Sequence, residues 1–182
     1  VCIFAYGQTG SGKSYSIFGY QNNKGIVPML CEELLNGKTL IEDDKHSYEL
    51  KIGMIEIYNE KIQDLLAPFE QRQQNKEGLK IRENPQTGVY VEKQTKAPVR
   101  SYADIEKWIE FGNKHKTIAA TLMNATSSRA HTVISIELQQ KEVLKLKTIQ
   151  KSSQINLVDL AGSEKVMKTG AEGDRLKEAC SI

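Results

Sequence analysis

The chain opens on VCIFAY, Val1 to Tyr6, a continuous apolar run of strand length. Such a run predicts a strand buried on both faces. A second run of this kind, QINLVDLAG, ends its strand at Asp159. Tyr48 to Tyr58 places Leu50, Ile52 and Met54 at strand spacing, and His131 to Leu138 alternates with Ile134, Ile136 and Leu138 on one side. LKIR, GVYV and APVR are three short strand candidates separated by ENPQT and EKQTK, where Asn84-Pro85 and Gly88 signal turns. They predict a small antiparallel excursion. Helices are expected after Ser14, over Val27 to Leu35 with Pro28 near the start, from Ser101, and from Asp174 onward. Ser101 and Asp104 form an [ST]-x-x-[DE] helix start, and Ile105, Trp108 and Ile109 then share a face. Polar stretches read as loops: Gln21 to Gly25, Leu40 to Ser47, Ala67 to Gly78, Asn124 to Arg129 and Lys165 to Gly173. Asn59 to Leu66 reads as a turn or short helix, and Lys141 to Ser153 as a basic connection. The expected architecture is α/β: a central, mainly parallel sheet flanked by helices, with the Val1 and Asp159 strands adjacent and interior.

Composition narrows the classes. Twenty-five Lys and Arg against 23 Asp and Glu leave +2 over 182 residues, so no global field argues for nucleic acid. Any acidic partner must be met by a local patch. Cys2, Cys31 and Cys180 are too few and scattered for a disulfide framework or a zinc site, and fit a reducing compartment such as the cytosol. No apolar run approaches the roughly 20 residues of a membrane span. Both ends look cut through elements: the first residues lie in a strand and the last, RLKEACSI, in a helix-like stretch. The expectation is one domain over residues 1–182, incomplete at both ends.

The chemistry starts at Gly7-Gln8-Thr9-Gly10-Ser11-Gly12-Lys13-Ser14, a match to G-x-x-x-x-G-K-[ST] between a strand and a helix. In such a P-loop the glycines let backbone N–H groups wrap phosphates, and the next helix points its positive end at them. Lys13 reaches the β and γ phosphates, and the Ser14 hydroxyl is a magnesium ligand. The site also needs a carboxylate on a neighbouring strand to hold magnesium through water, and Asp159 supplies it. Gly162, three residues on, can bring its N–H against a γ-phosphate. Leu160 follows Asp159, so there is no adjacent catalytic Glu. None of the three Asn-Lys pairs has the Asp of N-K-x-D, so guanine has no visible reader. Asn124 to His131, with Ser127, Ser128, Arg129 and His131, gathers hydroxyls, a guanidinium and an imidazole suited to clamping a γ-phosphate.

GQTGSGKSYS, NATSSRAH and DLAGSE resemble the P-loop, switch I and switch II of kinesin motor heads, in the family's order and approximate spacing. IEIYNEKIQDLL and GDRLKEA are further similarities. The run YVEKQTKAPVRSYADI with GNKHKTIAAT is most similar to the third kinesin class. The resemblance implies a partial motor domain, from the P-loop strand to just after switch II, and a microtubule-stimulated ATPase using ATP and Mg2+. It implies that Gly7 to Ser14 hold the phosphates, that Tyr15 lies near adenine, and that Ser14, Ser127 and Asp159 serve the metal. Ser128 acts at the γ-phosphate and Gly162 senses it. Arg129 pairs with Glu164 when the switches close. Glu83 to Ser101 and the basic Lys165, Lys168, Arg175 and Lys177 would face tubulin. The implied partner is the microtubule, with no nucleic acid and no membrane contact by this domain, in the cytoplasm on the cytoskeleton. Oligomers could form through further segments. Ser14 stands for the commoner Thr, Lys165 for Arg, and Ala130 for the usual Ser. Two function classes are carried: a motor ATPase, and a nucleotide-regulated microtubule-binding module with little turnover.

Overall fold

The computed structural model describes residues 1–36, 43–75, 77–123, 129–145 and 147–163, with the side chains of 117–123 excepted. The elements in chain order are β1 (Cys2–Ala5), α1 (Lys13–Phe18), β2 (Gly19–Tyr20), β3 (Asn23–Lys24), α2 (Ile26–Asn36), β4 (His46–Tyr58) and β5 (Lys61–Asp64). There follow α3 (Phe69–Gln74), β6 (Ile81–Asn84), β7 (Gly88–Val91), β8 (Ala97–Val99), α4 (Tyr102–Met123), β9 (His131–Leu144) and β10 (Lys147–Asp159).

The central sheet runs β1-β10-β9-β4-β5, with β8 also paired to β4. Its alternation makes one apolar face. In register across the strands lie Ile3, Leu157, Ile134 and Met54, and beside them Ile155, Ile136, Ile52 and Ala97. These side chains join Ile17 of α1, Val27 and Cys31 of α2 and Ile105 of α4 in one core. Burying so continuous a face is the main favourable contribution to the fold. Pinning α4 to it is a reciprocal cap: the Asp104 N–H donates to Ser101 Oγ at 3.2 Å and the Ser101 N–H to Asp104 Oδ2 at 3.0 Å.

Several expectations are corrected. The sheet is mixed rather than mainly parallel: β1 and β10 run parallel, while the other described ladders are antiparallel. A two-residue link between β9 and β10 can only make a hairpin. The stretch Lys141 to Ser153 is therefore no loose connection; it is the outer part of that hairpin, paired from Leu144↔Lys147 inward. Nor is β1 interior. Among the described residues it is an edge, paired only to β10, with Cys2 exposed and Phe4 62% exposed on the face away from the core. Asn59 and Glu60, both at positive φ, make a tight turn into β5, so Asn59 to Leu66 is a hairpin arm. Gln21 to Gly25 likewise belongs to the β2–β3 hairpin, and part of the expected loop after Ala67 is α3. Of the three short strands, β6 and β7 pair apart, while β8 joins the main sheet. His115 has its Nδ1 2.8 Å from the Leu65 carbonyl oxygen and packs edge-on against Phe111.

The hairpin β2–β3 folds back on the end of α1. Gly19 has φ +83, and a Cβ there would stand 2.2 Å from the Asn23 carbonyl oxygen. Gly19→Ala is expected to destabilise by about 3 kcal/mol, because a strained φ is compounded by a backbone clash. Gly88, at φ +81 with open space around it, supplies the comparison. Gly88→Ala should cost only about 1–2 kcal/mol. Denaturant midpoints of the two variants would separate strain from clash, and equal losses would refute the close approach.

Candidate functional site: a phosphate loop and a buried polar rung

Register builds the site. Ala5 lies opposite Asp159 in the parallel β1–β10 ladder, so the loop leaving β1 emerges beside the carboxyl end of β10. Ligands of open α/β sheets bind at such strand ends. The loop turns tightly: the Ser11 N–H donates to Gln8 O at 3.2 Å, and Gly10 and Gly12 hold φ +79 and +90. At Gly7 a Cβ would come within 2.6 Å of Ser11 Oγ. Gln8, Thr9, Gly10, Ser11 and Gly12 are all exposed. Helix α1 then starts at Lys13 with no acidic residue in its first turn and no side-chain cap from Gly12. Its positive end is therefore not cancelled from within.

Lys13 Nζ donates to the carbonyls of Gly7 and Gln8, both at 2.9 Å, which holds its charge within the loop. The Ser14 hydroxyl donates to Asp159 Oδ2 at 2.6 Å, a charge-assisted bond joining loop to strand end. Asp159 is 4% exposed, and its other oxygen, Oδ1, is buried without a partner. A hydroxyl beside an unsatisfied carboxylate oxygen is a hard-oxygen pair of the kind magnesium takes. Among the described residues no three His, Cys, Asp or Glu side chains could hold a metal. The pair thus suits an ion that draws the rest of its shell from water and phosphate.

The apolar face ends here in a polar rung. Asp159, Thr132 and Glu56 lie side by side across β10, β9 and β4, all buried. Lys116 of α4 reaches down to them. Its Nζ donates to Thr132 Oγ1 at 2.7 Å and stands 4.0 Å from Asp159 Oδ2. The first is a good hydrogen bond, whereas the second is charge proximity at the limit of contact. Burial pushes the Glu56 carboxyl up, and Lys116 pulls it back.

Backbone continues the ladder past Asp159. The Leu160 N–H meets Ala5 O at 3.4 Å and the Ser163 N–H meets Gly7 O at 3.1 Å, which brackets the buried Gly162 close to the loop. The Ala161 N–H donates to His131 Nδ1 at 3.1 Å. His131 is thus neutral and structural here, not a phosphate clamp. Burial lowers it below its ordinary value of 6.5, opposed by Asp159 and Glu60. A lowered histidine stabilises the fold fully above 6.5, and that contribution is lost as pH falls through the folded value. The thermal midpoint should therefore drop on acidification below 6.5. His131→Asn, whose amide oxygen accepts at any pH, should flatten that part of the profile; an unchanged slope would assign it to other groups.

The structure brings together Gly7 to Ser14, Asp159 and Gly162. Tyr15, on α1, is 52% exposed. Arg129 is half-buried immediately before β9. Ser127, Ser128, Glu164, Lys165, Lys168, Arg175 and Lys177 lie outside the described residues. Sequence reading missed Lys116, Thr132 and Glu56. The signal was present, since Lys116 shares a helical face with Ile105, Ile109 and Gly112. A lysine on an apolar face requires a buried counter-charge.

The chain matches the family model of the kinesin motor domain over residues 1–182. It is 48% identical over 186 residues to Kinesin-related protein 1 of Dictyostelium discoideum, covering 99% of this chain and 8% of that protein. It is 44% identical to the human kinesin-like protein KIF14, covering 100% of this chain and 11% of the relative. Among solved structures, a fast kinesin superposes with TM-score 0.85 at 39% identity. The KIF14 dimer in its two-heads-bound state, with AMP-PNP and in complex with a microtubule, superposes at 0.81 and 44%. In both cases all of this chain and 50% of the solved chain are covered. The chain thus spans about half the length of those solved chains and about a tenth of the curated relatives. Loop, carboxylate strand and sheet together mark one fold, and by sequence and structure alike the chain belongs to the kinesin motor-domain family.

Proposed function

We propose that this chain is the nucleotide-handling part of a microtubule motor that hydrolyses Mg-ATP and couples turnover to movement along microtubules of the cytoskeleton. The observation that carries this reading is the 2.6 Å bond from Ser14 Oγ to Asp159, with Lys13 seated in its loop and Asp159 Oδ1 buried without a partner. Phosphoryl transfer is catalysed mainly by positioning and electrostatic stabilisation. The loop N–H groups and Lys13 bind and orient the phosphates. Ser14 and Asp159 would hold magnesium, which neutralises charge on the transferring group when bound. Gly162 would present its N–H to the γ-phosphate, and Ser127, Ser128 and Arg129 would close over it. Glu164 would then pair with Arg129 to organise the attacking water. On the microtubule side, the β6–β7 hairpin leaves Ile81, Val89 and Tyr90 exposed near Lys80, Arg82 and Lys93, a surface suited to an acidic protein partner.

The second reading, a nucleotide-regulated binding module, draws on Ala130. That side chain is buried, so the missing hydroxyl leaves no orphan donor there. Steady-state ATPase of a complete head, with and without microtubules, tests both. Stimulation by microtubules supports the motor. Nucleotide-dependent microtubule affinity without turnover supports the module instead.

A further inference from the structure

Beyond the helical layer the β9–β10 hairpin ends in an exposed tip that the nucleotide site does not use. Three large aliphatic side chains stand open there: Val143, Leu144 and Ile149, at 45%, 44% and 49% exposure. Single exposed aliphatics are ordinary, but these adjoin, because Glu142 pairs with Ile149 and Leu144 with Lys147. Around them stand Lys45, Lys141, Lys145, Lys147 and Lys151, all exposed, and among the described residues none of these makes an ion pair. Lys45 is tied to the tip through its carbonyl, which accepts from the Val143 N–H at 2.7 Å. The neighbouring acids are largely committed. Asp43 Oδ1 accepts from the N–H groups of Lys45 and His46 and lies 2.8 Å from His46 Nδ1, while Glu142 stands 3.7 Å from the other ring nitrogen. Asp44, also exposed, offsets only part of the lysine charge.

We propose that this tip docks on the surface of an anionic lipid bilayer, with the lysines at lipid phosphates and the three aliphatics in the boundary beneath them. The distribution of the groups decides for a bilayer over an acidic protein. Strand alternation puts Leu144, Lys147, Ile149 and Lys151 on the face shared with Ile134 and Ile136, Lys141 and Val143 on the opposite face, and Lys145 in the turn. A rigid partner meeting one face would leave the aliphatic and basic groups of the other in water. A fluid headgroup layer closes around a convex tip and reaches both. Lysine stems can then lie along the aliphatics while their heads stay at the interface. The attraction of basic groups to an anionic leaflet falls off within a Debye length, so the contact is shallow and sensitive to salt. This departs from the expectation that the domain touches no membrane. The tip lies at the opposite end of β10 from Asp159, so it neither uses nor blocks the phosphate loop and does not depend on turnover.

The test uses the full-length protein and vesicles of equal parts phosphatidylserine and brominated phosphatidylcholine at low salt. Leu144→Trp supplies a local readout, its fluorescence quenched by the bromines if the tip enters the boundary. Quenching that saturates with lipid is expected beyond that of the unsubstituted protein, and should vanish with brominated phosphatidylcholine alone. Lys141→Gln/Lys145→Gln/Lys147→Gln/Lys151→Gln in this background should weaken vesicle affinity at least about tenfold and flatten its salt dependence. Val143→Ser/Ile149→Ser should weaken it severalfold and leave the salt dependence in place. Basal ATPase and thermal midpoint should stay unchanged throughout, because only exposed side chains are altered. Quenching that survives the lysine substitutions, or is equal with neutral vesicles, overturns the proposal. Vesicle sedimentation without quenching puts any lipid contact elsewhere in the chain and overturns it as well. So does a hexaglutamate peptide that displaces the vesicles and binds regardless of Val143 and Ile149, which would make the tip a surface for acidic proteins.

Discussion

In a complete motor head, Asp159→Asn is expected to lower ATP turnover by about a thousandfold, or about 4 kcal/mol of barrier. The substitution is nearly isosteric, and the Asn oxygen can still accept from the Ser14 hydroxyl now 2.6 Å away. What disappears is the charge, and with it the anionic Oδ1 that stands buried and unpartnered. Charge at that position matters most where phosphoryl groups shed and gather negative charge under a divalent ion. Nucleotide binding measured without magnesium should survive, since the loop amides and Lys13 remain. A loss of turnover within tenfold would mean that the carboxylate only braces Ser14.

Lys116→Met should be the most destabilising single change in the site. Lys116, 12% exposed in its side chain, is the cation set among Asp159, Thr132 and Glu56. Removing one partner from buried ionic groups leaves uncompensated charge and typically costs about 3–5 kcal/mol. Denaturant unfolding would measure it, and a cost below about 1 kcal/mol would reduce Lys116 to an ordinary surface cation. The pH dependence supplies a signature. Burial already raises the Glu56 carboxyl, and without Lys116 it rises further. A raised carboxyl contributes stability below its unfolded value and loses it as pH climbs. The deficit of Lys116→Met should therefore shrink on acidification, as Glu56 takes up a proton. Adding Glu56→Gln should recover part of the loss, because neighbours sharing a network are not additive.

The nucleotide loop, the Asp159 strand and their adjacency were legible because each is a local pattern: glycines at fixed spacing, or apolar residues ending in a carboxylate. Strand direction was not. An apolar run does not show which way its neighbour points, and the mixed sheet follows instead from the short link between β9 and β10. The outer hairpin hid for a related reason. Lys141, Glu142, Lys147, Gln150 and Lys151 lie beyond the helical layer, where no burial imposes alternation, so pairing alone makes them strand. In α3 the sequence FEQRQQ has no apolar stripe, and none of its residues is buried. Lys116 was hidden by its type: a lysine reads as surface until its helical face is worked out.

The seam between Ser163 and Gly7 bears on how force would cross this molecule. The ladder from Cys2↔Asn156 to Ala5↔Asp159 lies side by side, so tension along β10 loads many rungs together in shear. Past Asp159, among the described residues, two backbone bonds continue it, the last at 3.1 Å from Ser163 to Gly7. Among the described residues, that rung is the first that load entering at Ser163 would meet. The phosphate loop then stands one hydrogen bond from Ser163, while the β1–β10 ladder lies behind it. Amide exchange at Ser163 under load would register the event before any strand parts.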